Sequence, residues 1–174
     1  RDRKVLGESP LEEHGVRVSA IAGTSNGAYV GAMSASGRSG QELEGLAAEM
    51  KTGRDLWSLV DPVLPPRRGF VRGDKIERRL RDSLGDTTFC DLKTPVSVVA
   101  TELDGYRRVI FEEGDLASAV RASLSIPGIL EPTTRDGVEY MDGGVSDPLP
   151  VDVLLDKPID LIIAVSVIPA LSDL

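Results

Sequence analysis

The sequence predicts an α/β fold, three layers α/β/α around a mostly parallel central sheet, and three observations carry that prediction. Strand-like apolar runs alternate with helical stretches along the chain, the order that builds a parallel sheet covered on both faces. Hydrophobic residues make up 41% of the chain but aromatics only 4%, so the core has to be aliphatic, as in parallel sheets rich in Val, Ile, Leu and Ala. A length of 174 residues fits one domain able to bury a substantial core.

In chain order, residues 9–14 read as the end of a helix, with Pro10 near its first turn and Gly15 in the C′ position. Residues 16–22 alternate as a strand, and 26–35 form a helix whose Gly27, Ala28, Gly31, Ala32 and Ala35 are small enough to pack closely on a sheet. Residues 41–51 make a second helix, with Leu43, Leu46, Ala47 and Met50 on one face. A proline-rich connection, 61–69, leads to a third helix over 73–84 with the stripe Ile76, Leu80 and Leu84. Residues 96–101 and 107–111 read as strands, 115–123 as a helix with Asp115 as N-cap, and 138–141 as a short strand. The last strand, 159–167, is apolar throughout and is expected at the centre of the sheet.

The most informative residues are Gly23-Thr24-Ser25-Asn26-Gly27, a G-x-S-x-G sequence between a strand and a helix. A sharp turn there holds a serine in a strained backbone conformation and is expected to require both flanking positions to lack a Cβ. It lifts the Ser25 hydroxyl to the positive end of a helix, where unpaired N–H groups can stabilise charge on a substrate oxygen. The tight turn alone, without chemistry, is the competing reading.

A nucleophilic serine needs a base. The single histidine, His14, precedes the serine and reads as a ring near a helix C-terminus, so nothing after Ser25 can complete a Ser, Asp, His order. A carboxylate acting directly on Ser25 is the remaining arrangement, a Ser/Asp dyad. Asp142 is the best candidate, because it ends a strand and is followed by Gly143 and Gly144, which let another backbone or a ligand approach. Asp104, Asp136, Asp147 and Asp152 compete without that combination, and a plain Asp-Gly turn is the bland alternative.

With those residues in view, the sequence resembles the patatin-like phospholipases, bacterial and plant lipid acyl hydrolases. The resemblance rests on the elbow at 23–27, the segment Ala122-Ser123-Leu124-Ser125-Ile126-Pro127-Gly128 and Asp142-Gly143-Gly144, in that order. It extends from about Leu11 to about Ile168 and includes Leu130, Pro132 and 148–151. It implies a patatin-like α/β/α domain, Ser25 as nucleophile, Asp142 as general base and an ester or phospholipid acyl bond as substrate. It implies an oxyanion site at the elbow (Gly23, Asn26 and Gly27), with Gly143, Gly144 and Pro127 in support, and no metal or organic cofactor.

The chain also departs from the family. Members begin with a strand and a loop, G-G-G-x-[RK]-G, whose N–H groups form most of the oxyanion hole. Residues 1–8 show no glycine cluster, so the expectation is a single patatin-like domain over 1–174 without that strand and loop. Removing one oxyanion donor typically costs about 100- to 1,000-fold in turnover. Asp147 stands where the family has asparagine, and Glu131 where proline is common.

The remaining features bound the partners. A formal charge of −8 argues against general nucleic-acid binding. One cysteine, Cys90, excludes an internal disulfide and a cysteine-rich zinc site, and reads as a small packed side chain. No signal peptide is visible, and the apolar run 161–171 falls short of the roughly 20 residues a membrane helix needs, so cytoplasmic residence is the default expectation. Arg67, Arg68, Arg72, Lys75, Arg78, Arg79 and Arg81 form a basic cluster, read first as a solvated face with local ion pairs and second as a docking patch for an anionic membrane surface. Trp57 reads as a half-buried loop aromatic with lipid contact as the alternative, and Ser123 and Ser125 as structural residues that end a helix and shape the wall of the site. Three functional readings follow: a serine lipid acyl hydrolase, a catalytically weak or inactive patatin-like domain binding a lipid or protein partner, and a flavodoxin-like module holding phosphate at the 23–27 turn.

Overall fold

Helices bounded by clear local signals fall where the residues place them. The computed structural model describes residues 14–49, 59–63, 65 and 68–167. The expected helix end at 9–13, Trp57, Arg67 and part of the 41–51 stripe lie outside the described residues. Helix α1 is Asn26–Ala35, α2 is Gly40–Glu49, α3 is Asp74–Leu84 and α4 is Leu116–Ser123. Ser39 and Glu42 close a capping box on α2, each side chain accepting the other's backbone N–H, at 3.2 and 2.8 Å. Asp115 caps α4 by accepting the N–H of Ser118 at 2.7 Å. Gly73 has no side chain to cap α3, and Asp61 does it from twelve residues upstream, its carboxylate accepting the N–H groups of Gly73, Asp74 and Lys75 at 2.7, 2.8 and 3.2 Å.

The strands are β1 (Ile21–Thr24), β2 (Gly69–Val71), β3 (Val96–Glu102), β4 (Arg108–Phe111), β5 (Gly128–Leu130), β6 (Thr133–Arg135) and β7 (Val138–Asp142). The main sheet runs β1-β3-β7-β6, with β4 also on β3, and β2 pairs with β5 in a separate two-stranded sheet. Only the β1–β3 pair of the main sheet is parallel; β4 and β7 run antiparallel to β3, and β6 antiparallel to β7. The sheet is therefore mixed, where a mostly parallel one was expected. Few residues separate β3 from β4, and β6 from β7, too few for the crossover that a parallel pair needs.

Val96 and Val98 of β3 pack into an aliphatic core with Ala28, Ala32 and Met33 of α1 and with Leu116, Ala117 and Val120 of α4. Leu80 and Leu84 of α3 join that core from outside α4. The short 3-10 turns Gly143–Val145 and Asp152–Leu154 lie against β3 and β1. Helices, sheet and these turns are consistent with a three-layer α/β/α arrangement.

Three expectations change. Residues 16–20 are not strand, because the ladder to β3 begins only at the pair Ile21–Val96, just past Pro95. Residues 159–167 form no strand; Leu161 is 73% and Val165 74% exposed. An apolar run becomes a strand only where a neighbour offers backbone groups, and no strand among the described residues pairs with it. Cys90 is exposed, since it lies in the 3-10 turn Phe89–Asp91 that buries Phe89 instead.

Candidate active site

Strand β3 brings the two candidate residues together. On one side Thr24, the last residue of β1, pairs with Val99; on the other Asp142, the last of β7, pairs with Ala100. Ser25 and Asp142 therefore leave flanking strands at one level, and their side chains meet across β3. The Ser25 hydroxyl donates to Oδ2 of Asp142 at 2.5 Å.

Ser25 has φ 53° and ψ −122°, a conformation that costs free energy for a residue with a Cβ. The surrounding contacts determine it. Its carbonyl accepts the N–H groups of Ala28 and Tyr29 at 3.0 and 3.2 Å, and its own N–H donates to the Ser123 hydroxyl at 2.8 Å. Helix α1 folds back so tightly that a Cβ on Gly23 would lie 2.6 Å from the Gly27 carbonyl. The expected steric requirement thus holds at Gly23. It does not hold at Gly27, where a Cβ would meet nothing within 4 Å. Asn26 and Gly27 are exposed in the first turn of α1, where helix N–H groups have no intrahelical acceptor.

Asp142 is only 6% exposed and each of its polar groups has a partner. Oδ1 accepts the Gly144 N–H at 2.7 Å, which fixes the carboxylate plane and leaves Oδ2 to face Ser25. Its N–H donates to the Ser125 carbonyl at 2.8 Å, and its carbonyl accepts from the Thr101 hydroxyl at 3.0 Å. Gly143 passes so close to β3 that a Cβ there would overlap the Val99 carbonyl. The competing acids point elsewhere. Asp147 and Asp152 both hold Arg108, at 2.6 and 2.8 Å, while Asp104 and Asp136 are exposed. Its hydrogen bonds to Asp152 and Asp147 raise the Arg108 pKa, and Arg108 lowers that of Asp152. The Asp147 carbonyl also accepts the hydroxyl of Thr24, tying this segment to the elbow at 2.8 Å.

Sequence reasoning placed Ser123 and Ser125 in the wall and missed what they hold. Ser123, fully buried, donates to the Val99 carbonyl at 2.6 Å while accepting from Ser25. The Ser125 hydroxyl accepts from the buried Arg121 guanidinium at 2.7 Å. Arg121 also donates to the carbonyls of Arg72 and Gly73, at 2.8 and 3.3 Å, binding the start of α3 to the segment that supports Asp142. Burial pushes the Arg121 pKa down, opposed by the charges of Glu77, Asp61 and Asp74. Pro127 is exposed in the turn between α4 and β5, and Gly128 follows with φ +78°. His14 is exposed in the turn before β1.

The basic cluster is largely engaged in local pairs. Arg68 meets Glu139 at 2.6 Å, Arg72 meets Asp74 at 3.6 Å, and Arg81 meets Asp115 at 3.2 Å. Among the described residues no three His, Cys, Asp or Glu side chains gather as a metal site, and no helix is long and apolar enough to cross a membrane.

Known proteins are similar to this sequence. The patatin-like phospholipase family profile matches residues 4–155. An uncharacterized NTE family protein of Mycobacterium tuberculosis is 39% identical over 158 residues, 90% of this chain and 42% of that protein. Patatin-like phospholipase domain-containing protein 6 of Homo sapiens is 32% identical over 162 residues, 90% of this chain and 12% of its own length. A lysophospholipase of Meyerozyma guilliermondii is 30% identical over 158 residues, 90% and 11% respectively. The chain thus spans less than half the length of these relatives. With a profile covering most of its residues, the chain belongs to the patatin-like phospholipase family.

Proposed function

We propose that this domain is a serine lipid acyl hydrolase that works through a Ser25–Asp142 dyad and an acyl-enzyme. The observation that carries the reading is the direct 2.5 Å hydrogen bond from the Ser25 hydroxyl to Asp142. Ser25 Oγ attacks the ester carbonyl as Asp142 Oδ2 takes its proton. The tetrahedral intermediate collapses, the C–O bond to the alcohol breaks, and Asp142 returns the proton to the leaving oxygen. Water then enters; Asp142 takes one of its protons, the hydroxide oxygen adds to the acyl carbonyl, and the carboxylic acid leaves as the proton returns to Ser25.

Charge on the carbonyl oxygen needs donors. The first-turn N–H groups of Asn26 and Gly27, at the positive end of α1, are the ones within the elbow itself. The Ser25 N–H is bonded to Ser123. The family relationship supports a lipid acyl ester as substrate, and an anionic membrane surface is the proposed place where it is met.

A fluorophosphonate probe tests the reading, because it reports the nucleophile alone. Wild type is expected to label on Ser25 and Ser25→Ala to remain unlabelled. Asp142→Asn preserves the shape of the side chain but removes the base, and is expected to slow labelling and ester turnover by about 100- to 10,000-fold. A folded wild type that takes no label would support the binding-only reading instead.

A further inference from the structure

We infer that Arg121 is a positioning residue that holds Asp142 against Ser25 through Ser125; the inference rests on the Ser25–Asp142 reading above and goes beyond it to what aligns the base. The Arg121 side chain is 3% exposed and stays charged, yet every oxygen it donates to is uncharged. Nη1 donates to the Ser125 hydroxyl at 2.7 Å, Nη2 to the carbonyls of Arg72 and Glu131 at 2.8 and 3.4 Å, and Nε to that of Gly73 at 3.3 Å. Among the described residues Glu77, Asp61 and Asp74 act on it through space, without a hydrogen bond. A buried cation is costly, and an apolar side chain of similar volume would fill the site with less desolvation. What the guanidinium supplies and an alkyl chain cannot is a rigid fork of donors.

The targets of that fork show what it aligns. Ser125 is fully buried just past the C-cap of α4, and its hydroxyl donates back to the Arg121 carbonyl at 3.0 Å, closing a ring between the two residues. With its side chain held in this way the backbone of Ser125 is held too, and its carbonyl accepts the Asp142 N–H at 2.8 Å. Two residues earlier, Ser123 accepts the Ser25 N–H. One five-residue segment, 121–125, thus touches both Ser25 and Asp142. Arg121 anchors that segment to the start of α3 and to the connection between β5 and β6. Gly73 is matched to the contact, since a Cβ there would overlap Nη2.

Arg121→Lys, Ser125→Ala and the double variant test the assignment by two readouts. Lysine keeps the charge but cannot span the four acceptors. The first readout is hydrogen exchange of the Asp142 amide, expected to speed by about tenfold in each variant while the amides of Val98 and Val99 in the central strand stay within about twofold. Uniform acceleration would mean general loosening and overturns the positioning role. The second is hydrolysis of soluble p-nitrophenyl butyrate. Each single variant should lose about 10- to 100-fold in kcat with KM within about twofold, as expected when a group is slightly misplaced. The double variant should fall no more than about twofold below the weaker single, because the two residues act along one path. Singles within twofold of wild type, or losses that multiply in the double variant, overturn the inference. Ser125→Ala alone decides by the same readouts if Arg121→Lys does not fold. A wild type that takes no fluorophosphonate while the Asp142 amide responds as described would refute the hydrolase reading and still support Arg121 as the residue that positions Asp142.

Discussion

The backbone N–H of Ser25 donates to the hydroxyl of Ser123 at 2.8 Å, and that hydroxyl donates in turn to the carbonyl of Val99 at 2.6 Å. One buried side chain thus joins the strained elbow to the central strand that sets its level against Asp142. Ser123→Ala leaves the Ser25 N–H and the buried Val99 carbonyl short of a partner, at a cost of about 1–3 kcal/mol. Because the elbow then relaxes, fluorophosphonate labelling should slow by roughly 10- to 100-fold in a protein with unchanged circular dichroism. Labelling within about twofold of wild type would mean that Ser25 holds its conformation without this bond.

The glycines around Ser25 and Asp142 should separate into two classes. A Cβ at Gly23 meets the backbone of α1 at 2.6 Å, and one at Gly143 overlaps the Val99 carbonyl; neither neighbour can rotate away. Gly23→Ala and Gly143→Ala are each expected to cost several kcal/mol, roughly the upper end of overpacking penalties. Gly27→Ala meets nothing and sits in a helix, so stability should be equal or higher by about 0.5–1 kcal/mol. Urea unfolding of the three variants decides it. Any loss of activity in folded Gly27→Ala would then report crowding of the substrate, not of the fold.

Local signals explain which parts of this molecule the sequence revealed. The stripe Ile76, Leu80 and Leu84 and the Asp115 cap are set within one or two helical turns, and α3 and α4 begin and end within a residue of expectation. The turn at Ser25 and the strand end at Asp142 were equally legible in position, since a glycine that backs onto a helix and an acid that ends a strand leave local marks. Strand direction was not read correctly. The few residues between the 96–101 and 107–111 runs permit only an antiparallel turn, yet the alternation of strands and helices argued for parallel order. Residues 159–167 failed for a related reason, because pairing depends on a distant partner that hydrophobicity does not encode. Ser123 acts on Ser25 across 98 positions, and only tertiary structure discloses that contact. The two-stranded β2–β5 sheet consists of three-residue strands, too short for periodicity to register.

The same small sheet frames a prediction about membranes. Phe70 and Ile129 are 66% and 53% exposed on adjacent strands, with Arg68 and Arg72 flanking Phe70 in sequence. Exposed apolar side chains beside cations suit an anionic lipid surface. Sedimentation with vesicles should show binding to phosphatidylserine-containing bilayers that weakens with salt, and Phe70→Asp should reduce it by about tenfold. Equal partition to neutral and anionic vesicles would remove the basic residues from the account.

The start of α3 supplies a test by pH. Burial raises the Asp61 pKa, but the N–H groups of Gly73, Lys75 and Asp74 together outweigh it, and the carboxyl titrates below its ordinary value of 3.8. A folded-state pKa below the unfolded one means that the carboxylate contributes stability above about pH 4, and that this contribution is lost as pH falls through the folded value. Asp61→Asn turns one acceptor into an amide donor facing N–H groups, so it should destabilise the domain by about 1–2 kcal/mol at neutral pH. For a domain of this size that is on the order of 2–8 °C in melting temperature. The difference between variant and wild type should then shrink as the pH is lowered below 4, because protonated Asp61 loses the same bonds. A gap that stays constant across that range would show that the cap works by shape and not by charge, and would leave the bound Arg121, which donates to the Gly73 carbonyl at 3.3 Å, as the feature that holds this helix in place.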